Sequence, residues 1–159
     1  METKTAEMAS SLIEDEVFLA FSTYATLMVL KTLLMGPLTA YFRFSRRAFA
    51  NAEDVWGKSE EEKKKKLRTH PDVERIRRCH QNDLENVVPF VLVGLLYTLT
   101  GPDPATARLY FRAFAASRLC HTLAYVLPLP QPSRALSWAT GMGVTLCMAY
   151  RLLSHKMLL

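Results

Sequence analysis

The chain has 159 residues, half of them hydrophobic, and a net charge of +5, which sets a single domain as the expectation. Its three cysteines, Cys79, Cys120 and Cys147, show neither paired spacing nor a metal-ligand pattern, which argues against a disulfide framework and a bound metal. The excess Lys and Arg lie beside apolar segments, which argues against nucleic acid as a partner and for a membrane surface.

The N-terminus is acidic (Glu2, Glu7, Glu14, Asp15, Glu16) and lacks the basic lead of a secretory signal. Val17 to Phe42 is apolar nearly all round, broken only by Lys31 and Gly36–Pro37, and predicts a membrane-spanning helix over 14–44. A soluble helix carries one apolar stripe, so this run disfavours a soluble four-helix bundle. The loop over 45–72 holds most of the cations, including Arg46, Arg47, Lys63, Lys64, Lys65, Lys66 and Arg68, which places it in the cytosol. Within it Phe49 to Trp56 reads as a turn. Ser59 to Lys66 reads as a solvated helical turn in which Glu60, Glu61 and Glu62 face Lys64, Lys65 and Lys66, with attraction to anionic lipid as a second reading.

His70–Pro71 marks the next boundary, and a second span is predicted over 73–99. It reaches the roughly 20 residues a bilayer demands only by starting in its charged half. Gly101-Pro102-Asp103-Pro104 is a turn signal, followed by a third span over 104–128. Pro128 to Pro132 is a stiff linker, Ser133 a possible N-cap, and a fourth span covers 133–154. The expected fold is an all-α integral membrane protein, one domain over 1–159, built as a four-transmembrane-helix bundle with both termini opposite the cytosol.

Polar groups gather near the cytosolic boundary of these spans. Arg78, Asn82 and Glu85 are four and three residues apart, so one face of the second helix carries a cation, an amide and a carboxylate; Arg77 and His80 project to another side. Arg118, His121 and Tyr125 form a similar stripe on the third helix, while Arg43 ends the first and Arg134 opens the fourth. Ionisable groups at such depth usually face a bundle interior or a cavity. Arginine forks suit carboxylates, and Glu85 suits an ammonium, so a small ligand with carboxylates and one amine matches the set. The alternative, given equal weight, is a set of interhelical ion pairs, Glu85 with Arg78 or with Arg118. Cys79, among Arg77, Arg78 and His80, has neighbours that favour a thiolate, although a plain cysteine on the helix surface is the expectation.

Four strings together carry a resemblance: Arg47 to Asp54, Val73 to Asn86, Gly101 to Pro104, and Arg118 through His121 to Tyr125. They resemble the membrane-associated eicosanoid and glutathione metabolism (MAPEG) family, from about Asp15 to the C-terminus. Asp15 to Phe18, the run from Leu96 to Pro104, and Leu127 to Pro132 favour the family's glutathione transferase branch over its prostaglandin E synthases. The resemblance implies a homotrimer with glutathione between neighbouring subunits near the cytosolic face, in the endoplasmic reticulum and mitochondrial outer membranes. Carried over by position, Arg43, Arg77, Arg78, His80, Glu85 and Tyr125 are glutathione contacts, Asn82, Arg118 and His121 line or support the site, and Arg134 stabilises the thiolate. Tyr125 is a second catalytic candidate, donating near the sulfur. Hydrophobic electrophiles would arrive from the bilayer, lipid hydroperoxides would be reduced by the same thiolate, and no metal is called for.

Two departures from family patterns matter. Val55 stands where some relatives carry an activating cysteine, and Ala135 follows Arg134 where prostaglandin E synthases carry a serine, with Trp138 in place of an aromatic hydroxyl. Both latter changes weaken an isomerase reading. Prostaglandin E or leukotriene C4 synthase activity, or a non-catalytic scaffold of the same family, are the alternatives.

Overall fold

In a computed structural model, residues 15–57 and 59–156 are described, so the predicted helix start at residue 14 and the more distal acidic residues lie outside them. Four long helices and one short helix make up the described fold: α1 (Glu16–Arg46), α2 (Glu60–Lys66), α3 (Pro71–Thr98), α4 (Pro104–Val126) and α5 (Ser133–Lys156).

Local chemistry sets most of the boundaries. The Asp15 carboxylate accepts from the Phe18 amide at 2.8 Å and starts α1. Arg43 and Arg46 in its last turn suit the negative end of the helix dipole. Arg47 then turns left-handed at φ 48°, and its N–H reaches back to the carbonyls of Arg43 and Phe44. The loop contains a 3-10 turn at Ala52–Asp54 and the short α2, which Ser59 caps and a 2.6 Å Lys63–Glu60 pair braces. A backbone bridge between Phe49 and Leu67 closes it on itself. The His70 ring accepts from the Asp72 amide at 3.2 Å, so α3 opens at Pro71, two residues ahead of the expected start.

Asp103 caps α4 and accepts from both the amide and the hydroxyl of Thr106, each at 2.8 Å. These bonds favour the carboxylate and hold its pKa below the ordinary value. Their contribution is present at neutral pH and fades in acid as Asp103 takes up its proton. At the start of α5 the N-cap expectation for Ser133 is corrected. Ser133 is already helical, and its hydroxyl donates to the Pro130 carbonyl at 2.6 Å.

The helices pack chiefly as α1 on α3 and α4 on α5, with α3 also touching α4 and α5. Every third or fourth residue of α3 is buried: Val73, Ile76, Cys79, Asp83, Asn86, Val87, Phe90, Gly94, Tyr97. Phe21 (α1), Phe90 (α3), Phe111 and Phe114 (α4) form the centre, with Phe90 and Phe114 stacked at 3.7 Å and 3°. Pro37 and Pro89 interrupt the hydrogen-bond ladders of α1 and α3. Cys79 is fully buried against Met35 and Ile76, which corrects the surface reading: the cations beside it in sequence sit on the outward face of α3, and its sulfur lies 3.9 Å from the Thr122 hydroxyl.

Gly94 lets α1 approach α3. A Cβ there would lie 2.6 Å from Cε2 of Phe21, whose ring is wedged against Phe90 and Phe111. Gly94→Ala is therefore expected to cost about 1–3 kcal/mol, read as a lowered unfolding temperature in detergent; an unchanged temperature would mean that Phe21 moves aside freely.

Among the described residues α1 alone is long and apolar enough to cross a membrane by length and composition. Its outer face stays uncovered, with Leu33 65% and Leu34 66% exposed. Large exposed leucine surfaces also mark α3, α4 and α5 (Leu92, Leu109, Leu123, Leu136, Leu146), a surface suited to lipid or to neighbouring protein.

Candidate functional site

The expected site residues fall into two groups on one chain. The first lines a cleft of about 510 Å³ between the C-terminal half of α1 and the N-terminal half of α3. Arg43 comes from α1, and Arg77, Arg78 and His80 from α3. The helices run antiparallel, so the basic end of α1 meets the arginine-rich start of α3. Gly36, Thr39 and Ala40 keep the α1 wall low. Glu74 supplies negative charge and binds Arg77 twice, at 2.9 and 3.1 Å.

The second group lies across α3, α4 and α5. Arg118 is fully buried, and its Nη2 donates to Asn82 Oδ1 and Asp83 Oδ1, both at 2.8 Å, and stands 3.1 Å from His121 Nδ1. Asp83, also fully buried, binds Lys31 of α1 through its other oxygen. The His121 ring lies 5.0 Å from that of Tyr125, and the Arg134 guanidinium lies 5.0 Å over the Tyr125 ring. Arg118 keeps Nε and Nη1, and Arg134 keeps Nε, buried without a hydrogen-bond partner among the described residues.

Glu85 belongs to neither group. It is exposed on α3 and accepts from Gln81 at 3.2 Å. The carboxylate partner of Arg118 is Asp83, which replaces the expected Glu85 pairing. Arg78, Asn82 and Glu85 do share one stripe, but it runs beside the buried stripe and faces partly out of the subunit. Sequence reasoning missed Asp83 and Lys31. The available signal was that Asp83 falls four residues after Cys79 and seven before Phe90, in step with the apolar period, and that Lys31 interrupts an otherwise apolar run.

The first group is thus a net positive cleft, and the second holds a fully buried Arg118 and a half-buried Arg134 whose guanidinium nitrogens are in part without partners among the described residues. The MAPEG family model matches residues 21–154. The chain belongs to the MAPEG family. Its similarity to microsomal glutathione S-transferase 1 of Homo sapiens is 55% identity over 152 residues, 94% of this chain and 97% of that protein. The rat protein of the same name is 50% identical over 149 residues, 93% of this chain and 96% of that one. Prostaglandin E synthase of Bos taurus is more distant, at 36% over 127 residues, covering 80% and 81%. As a MAPEG protein the chain thus sides with the transferases, in agreement with the reading of its Asp15–Phe18 and Leu127–Pro132 strings.

Proposed function

We propose that this protein is a membrane glutathione transferase, a homotrimer of subunits that each cross the bilayer four times, with the 45–72 loop and the site in the cytosol. The observation that carries this reading is the cleft in which Arg43, Arg77, Arg78 and His80 converge. Its size lies within the usual range for small-ligand pockets, about 300–1,000 Å³. Its cations match the carboxylates of glutathione, and Glu85, which lies outside the cleft lining and accepts from the lining residue Gln81 at 3.2 Å, matches the ammonium. On one chain Arg134 is not among the cleft residues. A site shared between neighbouring subunits unites the two groups, and the uncovered apolar faces give those neighbours a surface to pack on.

The chemistry follows from the sulfur. A thiol with a pKa of about 8.5 is mostly protonated at neutral pH, and the thiolate is the nucleophile. Arg134, held over Tyr125, supplies the fixed positive charge that favours thiolate; the thiol proton leaves to solvent. The sulfur then attacks an activated carbon of a hydrophobic electrophile, such as a halogenated arene, and the halide departs. With a lipid hydroperoxide the thiolate takes the terminal oxygen, releasing the lipid alcohol. A second glutathione reduces the resulting sulfenic acid to disulfide and water. Endoplasmic reticulum and mitochondrial outer membranes are the proposed locations, and lipid-soluble electrophiles the proposed partners.

The test is stopped-flow ultraviolet absorbance of the purified protein mixed with glutathione at neutral pH. A saturable thiolate signal is expected; binding without it would remove the sulfur-activating role, and neither would favour a scaffold. Glu85→Gln is expected to weaken glutathione binding about tenfold, the scale of one charge-assisted hydrogen bond, with little change in turnover at saturation. An unaltered dissociation constant by calorimetry would remove Glu85 from the site.

A further inference from the structure

We propose that Asp83 is a positioning residue of the transfer reaction: it fixes the Arg118 guanidinium, and through it the tautomer of His121 and the setting of the Tyr125–Arg134 pair. The inference rests on the transferase reading and deepens it.

Three helices meet at this carboxylate. One oxygen accepts from Arg118 of α4 at 2.8 Å, and the other from Lys31 of α1, while Asp83 itself comes from α3 and is 0% exposed. Stability alone is a poor account of it. Buried ion pairs often contribute no more than apolar residues of the same volume, and here the pairing is unequal, two cations to one anion.

The arrangement does, however, dictate the groups further along. A guanidinium can only donate. Arg118 Nη2 carries two hydrogens, and Asp83 Oδ1 and Asn82 Oδ1 take them at 2.8 Å each, which fixes the plane of the guanidinium. His121 Nδ1 stands 3.1 Å from the same nitrogen, and beside a cation that accepts nothing it turns its lone pair, not a proton, toward Arg118, which favours the neutral ring with its proton on Nε2. His121 packs on Tyr125, and Tyr125 offers its face to Arg134. Facing this set are Lys31 from α1, Asn82 and Asp83 from α3, Arg118, His121 and Tyr125 from α4, and Arg134 from α5. Asp83 therefore stands at the head of a contact chain whose far end is the proposed thiolate-stabilising cation.

The experiment compares Asp83→Asn with the charge-balanced double variant Lys31→Met/Asp83→Asn, each purified in detergent beside the wild-type protein. The double variant removes one cation with the anion, so it carries the test if the single variant does not fold. Bound glutathione is titrated by thiolate absorbance from pH 5 to 9, and its affinity is measured by calorimetry. Both variants are expected to raise the bound thiol pKa by about one unit, roughly threefold less thiolate at neutral pH, with affinity kept within about threefold.

The sign distinguishes the causes. Acting only through its charge, Asp83 would oppose the thiolate, so Asp83→Asn would lower the thiol pKa and the double variant would return to wild type. A lowered or unchanged thiol pKa in the folded double variant overturns the proposal. Absence of any thiolate signal in the wild-type protein, with glutathione still bound, overturns the sulfur-activating role on which the proposal rests, and the proposal with it; absence of binding as well overturns the glutathione site itself, before any variant is compared.

Discussion

Replacing Arg134 with alanine is expected to lower turnover roughly 25-fold at neutral pH, with glutathione affinity changed several-fold at most. The magnitude follows from the sulfur. Lowering a thiol pKa by two units from about 8.5 takes about 2.7 kcal/mol, and losing that shift lowers the thiolate fraction at pH 7 from roughly three-quarters to about 3%, roughly 25-fold. One guanidinium in a partly desolvated setting supplies energy on this scale. Arg134 is so placed: half-buried, 5.0 Å over the Tyr125 ring, its Nε shielded and without a partner among the described residues. Arg134→Lys keeps the charge but loses the flat fork above the ring, so partial activity is expected. Steady-state rates with a chlorodinitrobenzene, set against calorimetric affinity, make the check. Turnover unchanged in Arg134→Ala would assign the thiolate to another cation.

The second large effect is on stability. Arg118→Ala is expected to destabilise the fold by about 3 kcal/mol or more, the cost of removing one member of a buried ion pair. Arg118 and Asp83 are both 0% exposed, and the guanidinium also holds Asn82. Lys31 remains on the other oxygen of Asp83, which keeps the loss below that of an orphaned carboxylate. Thermal unfolding in detergent is the measurement. A melting temperature within experimental error of the wild type would show that Lys31 alone satisfies Asp83.

Much of the helical layout was legible in the sequence because its boundaries are chemical. Asp15, His70 and Asp103 are each followed by a helix that their side chains cap, and Gly101–Pro102 can hold no helix. What periodicity cannot decide is which stripe of α3 turns inward. Arg78, Asn82 and Glu85 and the neighbouring Cys79, Asp83 and Asn86 share a period and differ by a rotation of one residue. The selection was made by Met35 and Thr122, from other helices, which close over Cys79. The Lys31–Asp83 pair was hidden for a different reason. Fifty-two residues separate its members, and a lysine within an apolar run does not name the helix that will meet it. The cleft was partly legible, since its four basic residues were all singled out, yet the spacing of Arg77 and His80 set them apart from Arg78.

Lys31 and Asp83 each stand six residues ahead of a proline in their own helix, Pro37 and Pro89. Because α1 and α3 run in opposite directions, the two weakened turns flank the ion pair, one toward the cleft and one toward the aromatic centre. Pro37 donates no backbone hydrogen bond within α1, so the ladder is weakest on the side of the pair that leads to Arg43, while the Phe21–Phe90–Phe111–Phe114 half is held by packing. Amide hydrogen exchange would then divide along the chain at this point, fast in the segment that follows Gly36 and slow in the segment that precedes Lys31.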